Sequence, residues 1–246
     1  MKKLSPGSET LYARWADRFQ RFRQSSDGAP PTLEEGESFL TSLQAEGLKP
    51  NTVGVAARAL RRLFALDLPA PPIEMGEPEY LTVEQVRELI ETSPTLLEST
   101  ILTALYSSAC RISEILNLMV EDLELDKAVA TVTRKGGSRQ RVNLGRQGAE
   151  ALREWLARRQ SRSPRVFMDY AYLDIYRLLR KVGEKAGIPF HPHLLRHTRI
   201  RHLMEAGVPL ERVSEIAGHR RLDTTLKIYG RLRAEELGKY LEAASW

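Results

Sequence analysis

Four prolines and a glycine within thirteen residues, in LPAPPIEMGEPEY at positions 68–80, constrain this chain more than any other feature. Proline supplies no backbone donor and locks φ, so neither a helix nor a central strand can run through such a stretch. The remaining residues must therefore organise on either side of it. We expect a small unit over 1–67, a stiff linker over 68–79 and a larger unit over 80–246.

On the N-terminal side the apolar residues follow helical spacing. Leu11, Trp15, Phe19 and Phe22 mark a helix over 8–25, which the breaker SSDGAPP ends. Thr32 followed three residues later by Glu35 is a capping box, and Phe39, Leu40 and Leu43 continue that helix to Gly47. A third helix starts near Pro50 and carries Leu60, Leu63 and Phe64, with Arg58, Arg61 and Arg62 on or beside its polar side. Beyond the linker, Thr82 with Gln85 forms a second capping box, and Leu81 with Val86 the accompanying staple. Helices are expected over 83–91, 96–107 and 111–119. AVATVT and RQRVNL, on either side of RKGGS, read as a hairpin, and the chain after Gly145 reads as helical. The fold class is mainly α with a small antiparallel β-sheet.

A formal charge of +5, from 37 Lys and Arg against 32 Asp and Glu, leans toward a polyanionic partner. Its distribution says more. Positions 177–231 hold twelve basic residues against five acidic ones, and 134–165 hold ten basic residues, whereas 67–91 is acidic with Arg87 as its single base. Such clusters suit phosphate contacts, and a solvated basic surface is the plain alternative. The one cysteine, Cys110, excludes an intrachain disulfide and a cysteine-rich zinc module. With no apolar run near the roughly 20 residues of a membrane span and no signal-peptide core, no membrane association and a cytoplasmic location are expected.

All five histidines fall between 191 and 219. In HPHLLRHT, Pro192 suits the first helical position, so His193 lies in the first turn and Arg196 and His197 follow at i+3 and i+4 on its face. A helix start bearing His and Arg accommodates a phosphate, and a basic helix end with partly buried histidines is the plain reading. His193, His197, His202 and His219 also raise a zinc site, which the surrounding arginines disfavour.

HPHLLRHT resembles the H-x-L-R-H box of the tyrosine recombinases of the phage integrase family. AGHRRLDTTLKIYG resembles that family's segment leading to the nucleophilic tyrosine, SSACRISEIL its first arginine box, and RKGGSRQRVNL its lysine-bearing hairpin. GLKPNTVGVAARALRRLF is similar to its core-binding helix. Four boxes stand in the family's order. The resemblance implies a core-binding domain, a catalytic domain, and a site made of Arg111, Lys135, His193, Arg196, His219 and the nucleophile Tyr229. It implies duplex DNA as partner, no metal, no cofactor, and a homo-oligomer that is tetrameric on two paired sites. Arg58, Arg61, Arg62, Arg134, Arg139, Arg141 and Arg220 are candidate DNA contacts.

Each candidate has a structural alternative: Arg111 as an i,i+3 partner of Glu114, Lys135 as an exposed turn residue, Tyr229 as a core tyrosine. Ala109 and Cys110 replace the family's Gly and Leu, and the bend there is expected to survive. Ala217 replaces a Leu, and ten residues separate His219 from Tyr229. The tail RLRAEELGKYLEAASW is expected to form a helix that docks on its own domain or on a neighbouring protomer. With no arm-binding segment ahead of residue 8, the expectation is a Xer-like system. The rivals are a type IB topoisomerase, with a similar constellation, and a DNA-binding regulator without catalysis.

Overall fold

The computed structural model describes residues 4, 6–23, 28–69, 71, 79–134, 136–167 and 170–218. The chain divides into two compact units, Met1–Gly76 and Glu77–Trp246, and the division falls within the proline-rich stretch.

The first unit consists of α1 (Pro6–Arg23), α2 (Leu33–Ala45) and α3 (Pro50–Phe64). Thr32 and Glu35 make the reciprocal bonds expected of a capping box, which fixes the start of α2. Pro50 occupies the first turn of α3, where its missing N–H leaves no partner unsatisfied. The core gathers Phe19, Phe39, Leu43, Val53 and Leu60, with ring centroids of Phe19 and Phe39 5.3 Å apart. Leu11 and Phe22, on the same apolar stripe of α1 as Phe19, stay exposed.

One boundary moves. Leu68, read as the first linker residue, is fully buried in this core beside Leu66. Its carbonyl accepts from Arg61 Nε, and a Cβ at Gly36 would lie 2.9 Å from its methyl group. Burial of a leucine outweighs the stiffness of the prolines that follow it, so the packed unit extends past residue 67.

In the second unit, the Thr82–Gln85 capping box opens α4 (Val83–Glu91), and Leu81 and Val86 are both buried. The helix α5 (Leu96–Ser108) is apolar nearly all round and runs through the core, where Ile101, Leu102 and Leu105 are buried. Next comes α6 (Ile112–Leu116), which is shorter than the 111–119 expected. It stops because the backbone beyond it finds a different partner: Val166 N donates to Leu118 O at 2.9 Å, and Val120 N donates to Pro164 O at 2.8 Å.

The sheet has three antiparallel strands in the order β1 (Leu123–Glu124), β2 (Val129–Thr133), β3 (Arg139–Asn143). The hairpin was expected, and β1 was not, because two residues carry no readable alternation. In the β2–β3 register Ala130 faces Val142 and Val132 faces Gln140, which turns Ala130, Val132 and Val142 to the core. After the hairpin come α7 (Gly145–Arg158), α8 (Tyr172–Lys185), α9 (Pro192–Glu205) and α10 (Leu210–Ala217). The segment 159–171 between α7 and α8 is not helical where described, and Trp155 Nε1 donates to Val166 O there at 2.8 Å. A separate cluster of Ala109, Ile200, Val213 and Ala217 packs α10 and α9 against the end of α5.

Candidate active site

The α5–α6 corner sets the first arginine. Ala109 caps α5 in the left-handed region at φ 53, the conformation that favours glycine, so the bend persists with alanine in glycine's place. Arg111 follows as the N-cap of α6. Glu114, three residues on, accepts from the Arg111 amide at 2.9 Å and from Arg111 Nη1 at 2.8 Å. The i,i+3 ion pair considered from sequence is therefore present, and it also aims the arginine. The Arg111 side chain remains 35% exposed.

Glu114 is buried and takes a third donor, Arg134 Nη1, at 2.6 Å. Burial alone would raise its pKa, but the Arg111 amide and the two guanidiniums outweigh that effect and hold the carboxyl below its ordinary value. Glu114→Ala would leave the buried Arg134 guanidinium without its counter-charge. Breaking such a pair typically costs about 3–5 kcal/mol, and Arg111 is omitted from this figure because solvent screens it. We expect the thermal midpoint to fall by roughly 10 °C in a calorimetric scan. A change within scan error would show that the cluster does not hold the fold together.

The second arginine comes from α9. Pro192 takes the first helical position, and His191 is the N-cap, its Nδ1 accepting from Leu194 N at 3.2 Å. This capping role of His191 was not anticipated from the sequence. Its place immediately before a proline at a helix start was the available signal. His193 and His197 share a face, as the i,i+4 spacing requires, with ring centroids 4.7 Å apart at right angles. His202 is turned to a different neighbour, with its Nδ1 2.8 Å from the Tyr106 hydroxyl.

Arg196 is 2% exposed. Its Nη1 donates to Ala109 O at 2.6 Å and its Nη2 to Ala217 O at 2.5 Å. One guanidinium thus ties α9 to the corner that leads into Arg111 and to the end of α10. Burial first, and the nearby Arg111 charge next, lower its pKa to about 10, so it stays cationic at neutral pH.

His193 lies within the field of the same charges. Burial first, then Arg196 and Arg111, lower its pKa below the ordinary 6.5, while Glu114 acts in the opposite sense. Protonation on falling pH would remove a base at this position. A depressed pKa therefore predicts an imidazole that is neutral at pH 7 and gains its proton only below 6.5, as followed by its ring resonances in a pH titration. A ring titration with its midpoint above that value would show that burial and the two guanidiniums do not dominate at His193.

The structure thus brings Arg111, His193 and Arg196 together. Lys135, His219, Arg220 and Tyr229 lie outside the described residues, as does the 231–246 tail. Among the expected DNA contacts, Arg58 is exposed on α3, while Arg61 and Arg62 are half-buried. Arg139 pairs with Asp122, and Arg141 pairs with Glu124 at 2.7 Å, both arginines well exposed on β3. Arg134 is placed differently. It is 8% exposed and points inward to Glu114 and Gln140, because a buried carboxylate offers it a stronger partner than solvent does. A cavity of about 550 Å³ opens beside this cluster, lined by Arg111, Arg134 and Arg165 together with Ser113, Asn117 and Thr133.

Among the described residues no helix is long and apolar enough to cross a membrane. The model of the phage integrase family matches residues 79–236. The chain is 31% identical over 238 residues to tyrosine recombinase XerA of Pyrococcus furiosus, an alignment spanning 89% of this chain and 83% of that protein. It is 26% identical over 260 residues to tyrosine recombinase XerD of Listeria innocua, spanning 91% and 88%. Among solved structures, a XerH site-specific recombinase bound to its difH substrate superposes with a TM-score of 0.75 at 19% identity, over 94% of this chain and 78% of that one. The Tn1549 transposon integrase with circular intermediate DNA gives 0.76 at 16%, over 97% and 94%. Those two likenesses bear on the fold alone. Taken with the arrangement of Arg111, His193 and Arg196, the family match and the XerA relative establish that this chain belongs to the phage integrase family and is a tyrosine recombinase.

Proposed function

We propose that this recombinase breaks and rejoins duplex DNA at a specific site through a covalent 3′-phosphotyrosyl link on Tyr229, with neither metal nor nucleotide. The observation that carries the reading is the pair of arginines fixed about one spot, Arg196 from beneath by two backbone carbonyls and Arg111 by Glu114, with His193 beside them. Two guanidiniums bind the non-bridging oxygens of a phosphodiester and stabilise the charge that builds on them in a pentacoordinate transition state.

The Tyr229 oxygen attacks phosphorus, a new P–O bond forms, and the bond to the 5′-oxygen breaks. His193 takes the phenol proton, and Lys135 gives a proton to the departing 5′-oxygen. His219 hydrogen-bonds the phosphate or orients the tyrosine. The ester conserves the bond energy, so the reverse attack by a 5′-hydroxyl rejoins the strand. Arg58, Arg61, Arg62, Arg139, Arg141 and Arg220 supply backbone contacts, and DNA shape shares in site recognition. The named relatives support this partner, since XerH and the Tn1549 integrase were each captured on DNA. The working form is a tetramer on two paired sites, acting in the cytoplasm.

Covalent trapping tests the reading. Protein mixed with DNA fragments and quenched in detergent is expected to carry strands joined through their 3′ ends, all from one sequence motif. Linkage scattered over unrelated sequences would indicate topoisomerase-like relaxation instead, and no linkage would leave a DNA-binding regulator.

A further inference from the structure

Residue 134 stands where β2 enters the hairpin loop. Its amide donates to Ser138 O at 2.8 Å, and its carbonyl accepts from Gly137 N at 3.0 Å, so its backbone closes the loop that contains Lys135 in sequence. The side chain leaves the loop and runs inward. Nη1 donates to Glu114 Oε2 at 2.6 Å and Nε to Gln140 Oε1 at 2.9 Å. Nη2 is buried and makes no hydrogen bond among the described residues. Gly218, the left-handed cap of α10, lies against the same guanidinium: a Cβ there would stand 2.5 Å from Cζ and 2.6 Å from Nη2.

Three elements therefore meet on one side chain, and each adjoins a group assigned to the chemistry. Lys135 is the next residue in the chain, Arg111 is held by the same carboxylate, and His219 follows Gly218. Stability by itself gives little reason for an arginine here. It is a buried cation near two others, and a well-packed apolar side chain would avoid the desolvation. What an apolar side chain could not do is give Glu114 Oε2 a charged donor from the hairpin, beside the Arg111 amide, while leaving Oε1 directed at Arg111 Nη1.

We propose that Arg134 is a positioning residue for strand cleavage, which locks Glu114, and through it Arg111, against the hairpin loop and the α10 cap, and which requires glycine at position 218. This rests on the reading of the site as a DNA-cleaving centre. With both oxygens of Glu114 held, Arg111 has one orientation toward the phosphate. With Arg134 gone, Oε2 keeps only the Arg111 amide, the carboxylate loses its tie to the hairpin, and the arginine that it aims is held less tightly.

The test uses the full chain and a nicked DNA substrate carrying the trapped site, with single-turnover cleavage and DNA affinity measured side by side. Arg134→Gln is expected to cleave about 10- to 100-fold more slowly, the scale of loss for a misaligned reacting group, with DNA affinity unchanged. Arg134→Lys should recover part of the rate, because an ammonium can still reach Glu114. Gln140→Ala, which removes only the Nε partner, should fall between Arg134→Gln and the parent. A double-mutant cycle read by thermal unfolding checks the contact independently of activity. Gly218→Ala should lower the midpoint more in the parent than in the Arg134→Gln background.

Unchanged cleavage by Arg134→Gln beside an active parent would overturn the positioning role and leave the recombinase mechanism intact. Rate and affinity falling together with the unfolding midpoint would also overturn it, in favour of a purely structural arginine. Additive effects in the cycle would overturn the glycine requirement. If the parent itself forms no covalent complex, the cleavage reading has failed and the positioning role falls with it.

Discussion

The Tyr229→Phe protein is expected to bind its DNA site with unchanged affinity and to yield no strand attached to protein. One oxygen atom is removed, and with it the proposed nucleophile. Loss of a nucleophile elsewhere costs on the order of 10⁶-fold, which places the residual rate below detection in a gel assay. Binding is expected to persist because the proposed phosphate contacts come from several arginines, none of which needs the phenol. The tyrosine on α5 offers no ready substitute, since the Tyr106 hydroxyl is engaged with His202 Nδ1 at 2.8 Å. A covalent complex formed by Tyr229→Phe, identified by peptide mapping at another residue, would remove Tyr229 from the mechanism. Equal loss of affinity and cleavage would place it in DNA binding.

The second large effect is expected from Arg196→Lys. Lysine keeps the charge and lacks the fork. The guanidinium reaches Ala109 O and Ala217 O with two different nitrogens, an arrangement that a single ammonium on a shorter stem cannot reproduce while also facing a phosphate. Removing one donor that stabilises transition-state charge typically costs about 10²–10³-fold in rate, and we expect single-turnover cleavage to fall by that amount. DNA affinity should change far less, because only one of the several proposed phosphate contacts is altered. Some thermal stability is also expected to be lost, as each buried carbonyl left without its donor costs about 1–3 kcal/mol. Cleavage by Arg196→Lys within tenfold of the parent would show that charge alone suffices at this position, and that the fork serves only packing.

The two arginines differ in how much of their placement was legible beforehand. The spacing of HPHLLRHT put Arg196 on the face of His193, and the helix built on Pro192 bears that out. Nothing in the spacing indicated that Arg196 would be nearly inaccessible, because its anchors are 87 and 21 residues away in the chain. Arg111 shows the reverse. Its i,i+3 partner Glu114 could be read locally, whereas the second cation on that carboxylate, Arg134, comes from 20 residues downstream. Arg134 itself looked like one more basic residue at a hairpin tip. Only the buried carboxylate beneath it explains why it turns inward.

The same division runs through the fold. Helix starts at Thr32, Pro50, Thr82 and Pro192 were determined by the sequence alone, because capping and the loss of a proline donor act within three or four residues. The break into two units and the β2–β3 hairpin were likewise local consequences, of proline density and of alternation around a glycine turn. Tertiary structure decided the rest. It ended α6 at Leu116, added β1 beside β2, drew Leu68 into the first core, and set which arginines face inward. In each of these cases the deciding partner is distant in sequence, and the free energy of burying an apolar group or pairing a buried charge exceeds the local preference that spacing can reveal.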